Sequence, residues 1–214
     1  MLCFNRVSAG KRSAQLLMPA CDRQIGLTKL VTVHPLNMKK GLPSVQGDVF
    51  VFDAAIGRRL LLLDGPTLTA KRTAAVTAYA VQKLCLNPKG ALLLIGCGVQ
   101  AAAHLAAFFE LFGTRQVFVH SRNKQNVAAF CKLQQQQLQK RYTQTTCLIT
   151  PAESLREFAL SHLDLSQVRS LRDVGNLPAN GRNLVIFKSV GHALWDLAAA
   201  RVAVRLHDAH AGSK

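Results

Sequence analysis

No stretch of this 214-residue chain approaches the ~20 consecutive apolar residues of a membrane-spanning helix. Its basic start, MLCFNRVSAGKRSAQLLMPA, lacks the long apolar core of a secretory leader. A membrane is therefore not an expected partner. Cysteine is present but scattered, at 3, 21, 85, 97, 131 and 147, with no Cys-x-x-Cys and no His/Cys cluster. That pattern excludes a disulfide frame and a zinc site, and it points to reduced thiols in a cytoplasmic protein. His207 and His210 stand three apart near the tail, a spacing that suits a metal, yet no metal is expected. Acidic residues are scarce, 11 against 27 Lys and Arg, for a net charge of +16. Yet the basic residues come as singles and pairs, such as Lys39-Lys40 and Arg58-Arg59, without a long block or interleaved aromatics. Nucleic acid is thus not an expected partner, and the surplus reads as a solvated basic surface.

What is present is apolar residue in quantity, 49% of the chain, enough for a sizeable core. Residues 28–33 alternate like a strand that Pro35 ends, and 39–48 reads as a loop. Residues 49–64 read as a hairpin with its turn near Ala55-Ile56-Gly57. Asp48, Asp53 and Asp64 are spaced like turn residues and read as hairpin caps. The alanine-rich stretch 66–86 reads as a helix with Thr67 or Thr69 as N-cap, stopped by Asn87-Pro88-Lys89-Gly90.

A change of style follows. Residues 91–95 form a continuous apolar run, as in a strand buried on both faces. Helical patterning covers 99–112 and 124–140, the second with Asn123 as cap. Short β runs occupy 116–120 and 147–149, and Pro151 reads as a helix start. The order βαβαβ is half of a doubly wound sheet. Beyond it, only 183–187 reads as a strand, and 191–207 reads as an amphipathic helix in which Trp195 is a core or dimer-interface anchor. The fold class is α/β.

Between the first strand and helix of that half stands Gly96-Cys97-Gly98-Val99-Gln100-Ala101. Gly96 permits a tight turn, Gly98 lets the backbone approach a pyrophosphate, and Ala101 lets the helix pack close. Free amides and the helix dipole at Val99 and Gln100 then face the phosphates. Cys97 inside the loop is a small side chain whose oxidation would block the site. An NAD-binding sheet places an acid about 20 residues past the glycines. This chain has Ser121, Arg122 and Lys124 there instead, a hydroxyl and cations suited to a 2′-phosphate. The expected cofactor is NADPH, with NADH second. His104 reads as packing or surface.

The segments TKLVTVHPLN, GLPSVQGDVFVFDAAIGRRLLLLDGPTLTAKRTAAVTAYA, LLLIGCGVQAAAH and FKSVGHALWDLAAA resemble the ornithine cyclodeaminase/μ-crystallin family, in the wording of its cyclic-imine reductase branch. The resemblance implies a homodimer with a small-molecule cyclic imino acid as substrate. It also implies a Rossmann dinucleotide-binding domain, 89–182, inserted in a split α/β substrate-binding and dimerisation domain, 1–88 with 183–214 returning to it. Lys29 and Arg72 then hold the substrate carboxylate and serve as the catalytic pair, with Arg6 and Ser189 as further substrate contacts. Ser44, Arg72 and Thr73 join the cofactor set. The implied reaction is NADPH-dependent reduction of Δ1-pyrroline-2-carboxylate to L-proline or of Δ1-piperideine-2-carboxylate to L-pipecolate. Two alternatives stay open: a cyclodeaminase-type lyase using NAD, which the Arg122 loop disfavours, and a non-catalytic or truncated binding protein. Set against the resembled family the chain is short, and the expectation is that it lacks an N-terminal segment and the second Rossmann half, between about 160 and 183. Impaired activity is an expectation of that shortening.

Overall fold

The computed structural model describes residues 5–8, 13–84, 89–142, 147–151 and 191–212. They fall into two compact units, one of 1–73 with 190–214 and one of 74–189. Among the described residues no helix is long and apolar enough to cross a membrane.

The first unit is built on an antiparallel meander of five strands in sequence order: β1 (Asn5–Ser8), β2 (Ala14–Cys21), β3 (Ile25–Val33), β4 (Val45–Asp53) and β5 (Arg59–Asp64). Alternation decides its faces. Leu27, Val49 and Val51 point to one side and pack against Ala193, Leu197 and Ala200 of the last helix, α4 (Ala193–Ala211). Phe50 and Leu62, directly opposite each other in register, point to the other side and are exposed. The hairpin turn stands where the sequence placed it: Asp53 Oδ1 accepts from the amides of Ala55 (2.8 Å) and Ile56 (3.2 Å).

Several local expectations are corrected. Strand β2 had no sequence signal assigned to it. The segment 39–48 is not one loop. A 3₁₀ turn covers Pro35–Lys40, and β4 already begins at Val45. Asp48 is no turn residue; it lies within β4, paired across the sheet with Leu30 and Asp64. The cap of α1 (Gly65–Leu84) is neither Thr67 nor Thr69 but Asp64, whose Oδ1 accepts from the Thr67 amide at 2.8 Å. Gly-Pro at the first two helical positions leaves the capping role to the residue before them.

That hydrogen bond holds the Asp64 carboxyl below the ordinary carboxylate range, the Thr67 side chain and amide being the causes. The group therefore adds stability that is present above its unfolded pKa and fades as pH falls through the lowered folded one. Asp64→Ala is expected to cost about 1 kcal/mol. Urea titrations of both forms should show the difference at pH 7 and a smaller one in acid.

The N-terminus of α1 also needs two glycines. A Cβ on Gly65 would stand 2.6 Å from the Gly47 carbonyl oxygen, and one on Gly47, whose φ is +151°, 2.0 Å from that of Leu30. The helix thus starts hard against β4, which carries the side chains of its second turn over β3.

The second unit contains three parallel strands, ordered β6 (Leu92–Ile95), β7 (Gln116–His120) and β8 (Leu148–Pro151). Helices α2 (Val99–Phe112) and α3 (Lys124–Arg141) connect them. This is the expected βαβαβ. Its core joins Leu94, Val117, Val119 and Ile149 of the strands to Leu105 and Phe109 of α2 and Val127, Phe130 and Leu138 of α3. Asn123 caps α3 by accepting from the Asn126 amide (3.1 Å). Pro151 does not start a helix; it ends β8, in register with Val119. The run 91–95 is not buried throughout either, since Leu94 is buried and Ile95 is 68% exposed. The expected strand at 183–187 and the region about 160–183 lie outside the described residues, as do Asn87 and Pro88 of the helix stop.

Candidate functional site

Two sets of residues are candidates for a site, one in each unit. In the first, Lys29 sits mid-strand on β3, on the face that α4 covers. A lysine there ordinarily points to water, but this one is 2% exposed. Arg72, on α1, is 8% exposed. Between them lies Asp196 of α4, 0% exposed. Lys29 Nζ reaches Asp196 Oδ1 at 3.2 Å and Oδ2 at 3.4 Å, and it donates to Thr69 Oγ1 at 2.5 Å. Thr69, one helical turn before Arg72, donates in turn to the Gly65 carbonyl at 2.7 Å. Arg72 Nε lies 3.1 Å from Asp196 Oδ1, within ion-pair range. The Arg72 guanidinium also sits over the Trp195 ring, 5.6 Å from its centroid. Trp195 is half-buried and braces a cation rather than filling the core. Gly191, at φ +82°, leaves the guanidinium room: a Cβ there would meet Arg72 Nη2 at 3.1 Å.

Charge bookkeeping identifies what this cluster can do. Two buried cations face one buried carboxylate, so among the described residues the cluster carries one uncompensated positive charge. Isolated buried charge is costly, and such groups are found paired. Arg72 Nη1 is buried without a hydrogen-bond partner among the described residues. A guanidinium edge with an unused donor, beside a surplus positive charge, fits one carboxylate. The same surroundings act on Lys29. Burial pushes its pKa below the ordinary lysine value and Arg72 pushes it the same way, while the Asp196 carboxylate pulls it back up.

Asp196 had no role in the reading of the sequence, and Thr69 had one only as a candidate helix cap. A signal existed for the first. On α4 the positions 193, 196, 197 and 200 are all buried, and an acid within such an apolar stripe requires a cation from elsewhere.

In the second unit the glycine turn follows β6 directly. Gly96 has φ +112°, a conformation side chains avoid, and its amide donates to the His120 carbonyl at 2.7 Å. That bond ties the turn to the end of β7, next to Ser121 and Arg122. Gly98 stands at the start of α2 with no side-chain cap, and there is no acid in the first turn. A Cβ on Gly98 would meet nothing within 4 Å. The amides of Val99, Gln100 and Ala101 precede the first intrahelical bond, from Ala102 to Gly98 (3.2 Å). Val99, 70% exposed, and Ile95 present apolar surface beside them. Open backbone, free amides and an apolar shelf fit the pyrophosphate end of a dinucleotide. Ser121 is half-buried, and Arg122 and Lys124 are exposed.

The other expected residues are placed as follows. Ser44 has a buried hydroxyl without a partner among the described residues, and its carbonyl accepts from the His34 amide (2.7 Å). Thr73 is half-buried on α1 beside Arg72. Arg6 belongs to β1, of which only the backbone is described, and Ser189 lies outside the described residues. His104 is half-buried and bonded, Nδ1 to the Gln100 carbonyl (2.7 Å) and Nε2 to Thr77 Oγ1 (3.0 Å). Cys97 packs on the core near Cys131.

Comparison with known proteins gives this geometry its context. A Δ1-pyrroline-2-carboxylate/Δ1-piperideine-2-carboxylate reductase of Azospirillum brasilense is 32% identical over 246 positions, covering 88% of this chain and 79% of that protein. The alignment is longer than the 214-residue chain, so the chain is gapped against it. Δ1-pyrroline-2-carboxylate reductase 1 of Burkholderia multivorans is 44% identical over 116 residues, 54% of this chain and 37% of that protein. Among solved structures, the Thermococcus litoralis Δ1-pyrroline-2-carboxylate reductase, in complex with NADH and L-proline, superposes with a TM-score of 0.63 at 30% identity. That match covers 72% of this chain and 46% of the other, so the chain spans about half of the solved reductase. The family model for the ornithine cyclodeaminase/mu-crystallin family matches residues 5–146, and this chain belongs to that family.

Proposed function

We propose that the chain is a nicotinamide-dependent reductase of cyclic imino acids, converting Δ1-pyrroline-2-carboxylate to L-proline and Δ1-piperideine-2-carboxylate to L-pipecolate. The observation that carries this is the surplus buried cation of the Lys29–Asp196–Arg72 cluster, with the Arg72 Nη1 donor unused. The relatives supply the direction, since the reductase at 32% identity is named for both imines and the one at 44% for Δ1-pyrroline-2-carboxylate.

A bound dinucleotide supplies the hydride. The remaining tasks belong to the chain. Arg72 offers its planar edge to the substrate carboxylate, and Lys29 adds a second positive charge. Together they hold the carbon next to the carboxylate, the C=N carbon, in one orientation. Hydride addition there and a proton on the nitrogen give the saturated amino acid, so no nucleophile or metal is required. Gly96, Gly98 and the amides of Val99, Gln100 and Ala101 are assigned to the pyrophosphate. Ser44 and Thr73 are assigned to the nicotinamide end, Arg6 and Ser189 to the substrate.

NADPH is the preferred form in this reading. Ser121, Arg122 and Lys124 follow β7 without an acid among them, and a ribose 2′-phosphate suits that set. Arg122→Ala should raise the KM for NADPH about tenfold and leave that for NADH within twofold. Equal effects on both would remove the assignment. The activity itself is tested by following NADPH consumption with the cyclic imine and detecting L-proline. Purified, folded protein that yields no amino acid would end the proposal.

The second copy of a homodimer is assigned to the open face of the first unit, where Phe50 and Leu62 are 47% and 62% exposed. An apolar patch of this kind on a sheet is a natural contact surface. Phe50→Glu should convert dimer to monomer in sedimentation; an unchanged mass would exclude this face.

A further inference from the structure

We propose that Asp196 is a positioning residue: its buried carboxylate clamps Lys29 and Arg72 from between and keeps both cations in place for a single substrate carboxylate. This rests on the reading of Lys29 and Arg72 as the anion-binding pair, and it goes beyond that reading by assigning the acid that makes the pair possible.

The argument starts from repulsion. Two cations buried on neighbouring elements would swing apart or lose a proton without an anion between them. Asp196 uses Oδ1 toward both, at 3.2 Å to Lys29 Nζ and 3.1 Å to Arg72 Nε. Arg72 Nε lies within ion-pair distance yet is not aligned for a hydrogen bond, so the carboxylate holds the guanidinium by charge and leaves Nη1 free. Thr69 steadies the ammonium from α1 at 2.5 Å. The groups facing Lys29 are thus Asp196 from α4 and Arg72 and Thr69 from α1. Its neighbours in the sheet, Met18 and Val49, are apolar. Asp196 is the one group in the cluster whose charge opposes the burial of Lys29 and the push of Arg72.

The test measures Lys29 directly. The rate at which its amine reacts with acetic anhydride is followed against pH by peptide mass spectrometry, in the wild type and in Asp196→Asn. The amide keeps the shape and removes the charge. Reaction of Lys29 should begin at least one pH unit lower in the variant, and the KM for the imino acid should rise about a hundredfold with a smaller change in kcat. Asp196→Glu, which restores the charge, should return the labelling profile toward wild type. An unchanged labelling profile in folded Asp196→Asn overturns the proposal. Should Asp196→Asn not fold, Asp196→Glu decides alone. A wild-type-like labelling profile with at least tenfold weaker L-proline binding supports the clamp, and wild-type affinity overturns it. Labelling needs no turnover. A wild type that labels as described but reduces no imine would sink the proposed activity and leave the clamp standing.

Discussion

Replacing Arg72 with alanine is expected to lower kcat/KM for the cyclic imine about a thousandfold while leaving the protein folded. The asymmetry between these two outcomes follows from charge. The native cluster holds two cations and one anion, all buried. Removing the guanidinium leaves Lys29 and Asp196 as a neutral pair at 3.2 Å, a better balanced interior than before. What disappears is the surplus positive charge and the free Nη1 donor. Truncating one member of a buried, hydrogen-bonded charge pair costs roughly 2–5 kcal/mol of binding. At about 1.4 kcal/mol per tenfold, about 4 kcal/mol, in the upper half of that range, corresponds to roughly a thousandfold. Lys29 reports the same change with a definite sign. Arg72 is one of the causes that depress its pKa. The alkaline limb of activity should therefore move up in Arg72→Ala, opposite to the downward movement set by Asp196→Asn. Steady-state kinetics across pH on the two variants checks both. Retained kcat/KM in Arg72→Ala would remove the carboxylate from this site.

Gly98→Val should abolish stabilisation by NADPH and leave the melting temperature of the ligand-free protein within about 2 °C of wild type. The two glycines of the turn are not equivalent. Gly96, at φ +112°, is required by the backbone itself, and any side chain there is strained whether or not a ligand binds. Gly98 has φ −97°, which any residue adopts, and a Cβ on it meets no protein atom within 4 Å. Neither its backbone angle nor the space around it requires glycine at 98. Close approach of a phosphate to the first amides of α2 does. A branched side chain would occupy that approach, and affinity should fall at least a hundredfold. Thermal shift with and without NADPH separates the explanations. A variant that still binds the nucleotide, or one that loses stability when ligand-free, would make Gly98 a structural residue instead.

Local chemistry was readable without coordinates wherever a few neighbouring residues suffice. Asp53 and Gly57 make the hairpin turn among themselves, Asn123 caps the helix it precedes, and Gly96 to Ala101 make a turn and a helix start within one stretch. The same local logic failed where two candidates competed. Three polar residues, Asp64, Thr67 and Thr69, could cap α1, and the sequence preferred the threonines. The carboxylate took the position because Gly-Pro occupies the first helical turn. Asp48 looked like a turn residue by spacing, and only pairing with Leu30 and Asp64 places it inside a strand.

The sequence by itself determined that a strand, a glycine turn and a helix follow one another over residues 92–112. Periods of two and 3.6 residues and short-range hydrogen bonds carry that much, while Lys29 and Arg72 were singled out by a family resemblance alone. Only the tertiary structure decided that both cations are buried and that Asp196, 167 residues from Lys29, lies between them. The physical reason is that a charge's cost and worth depend on what surrounds it after three distant elements have packed, and no window along the chain contains β3, α1 and α4 together.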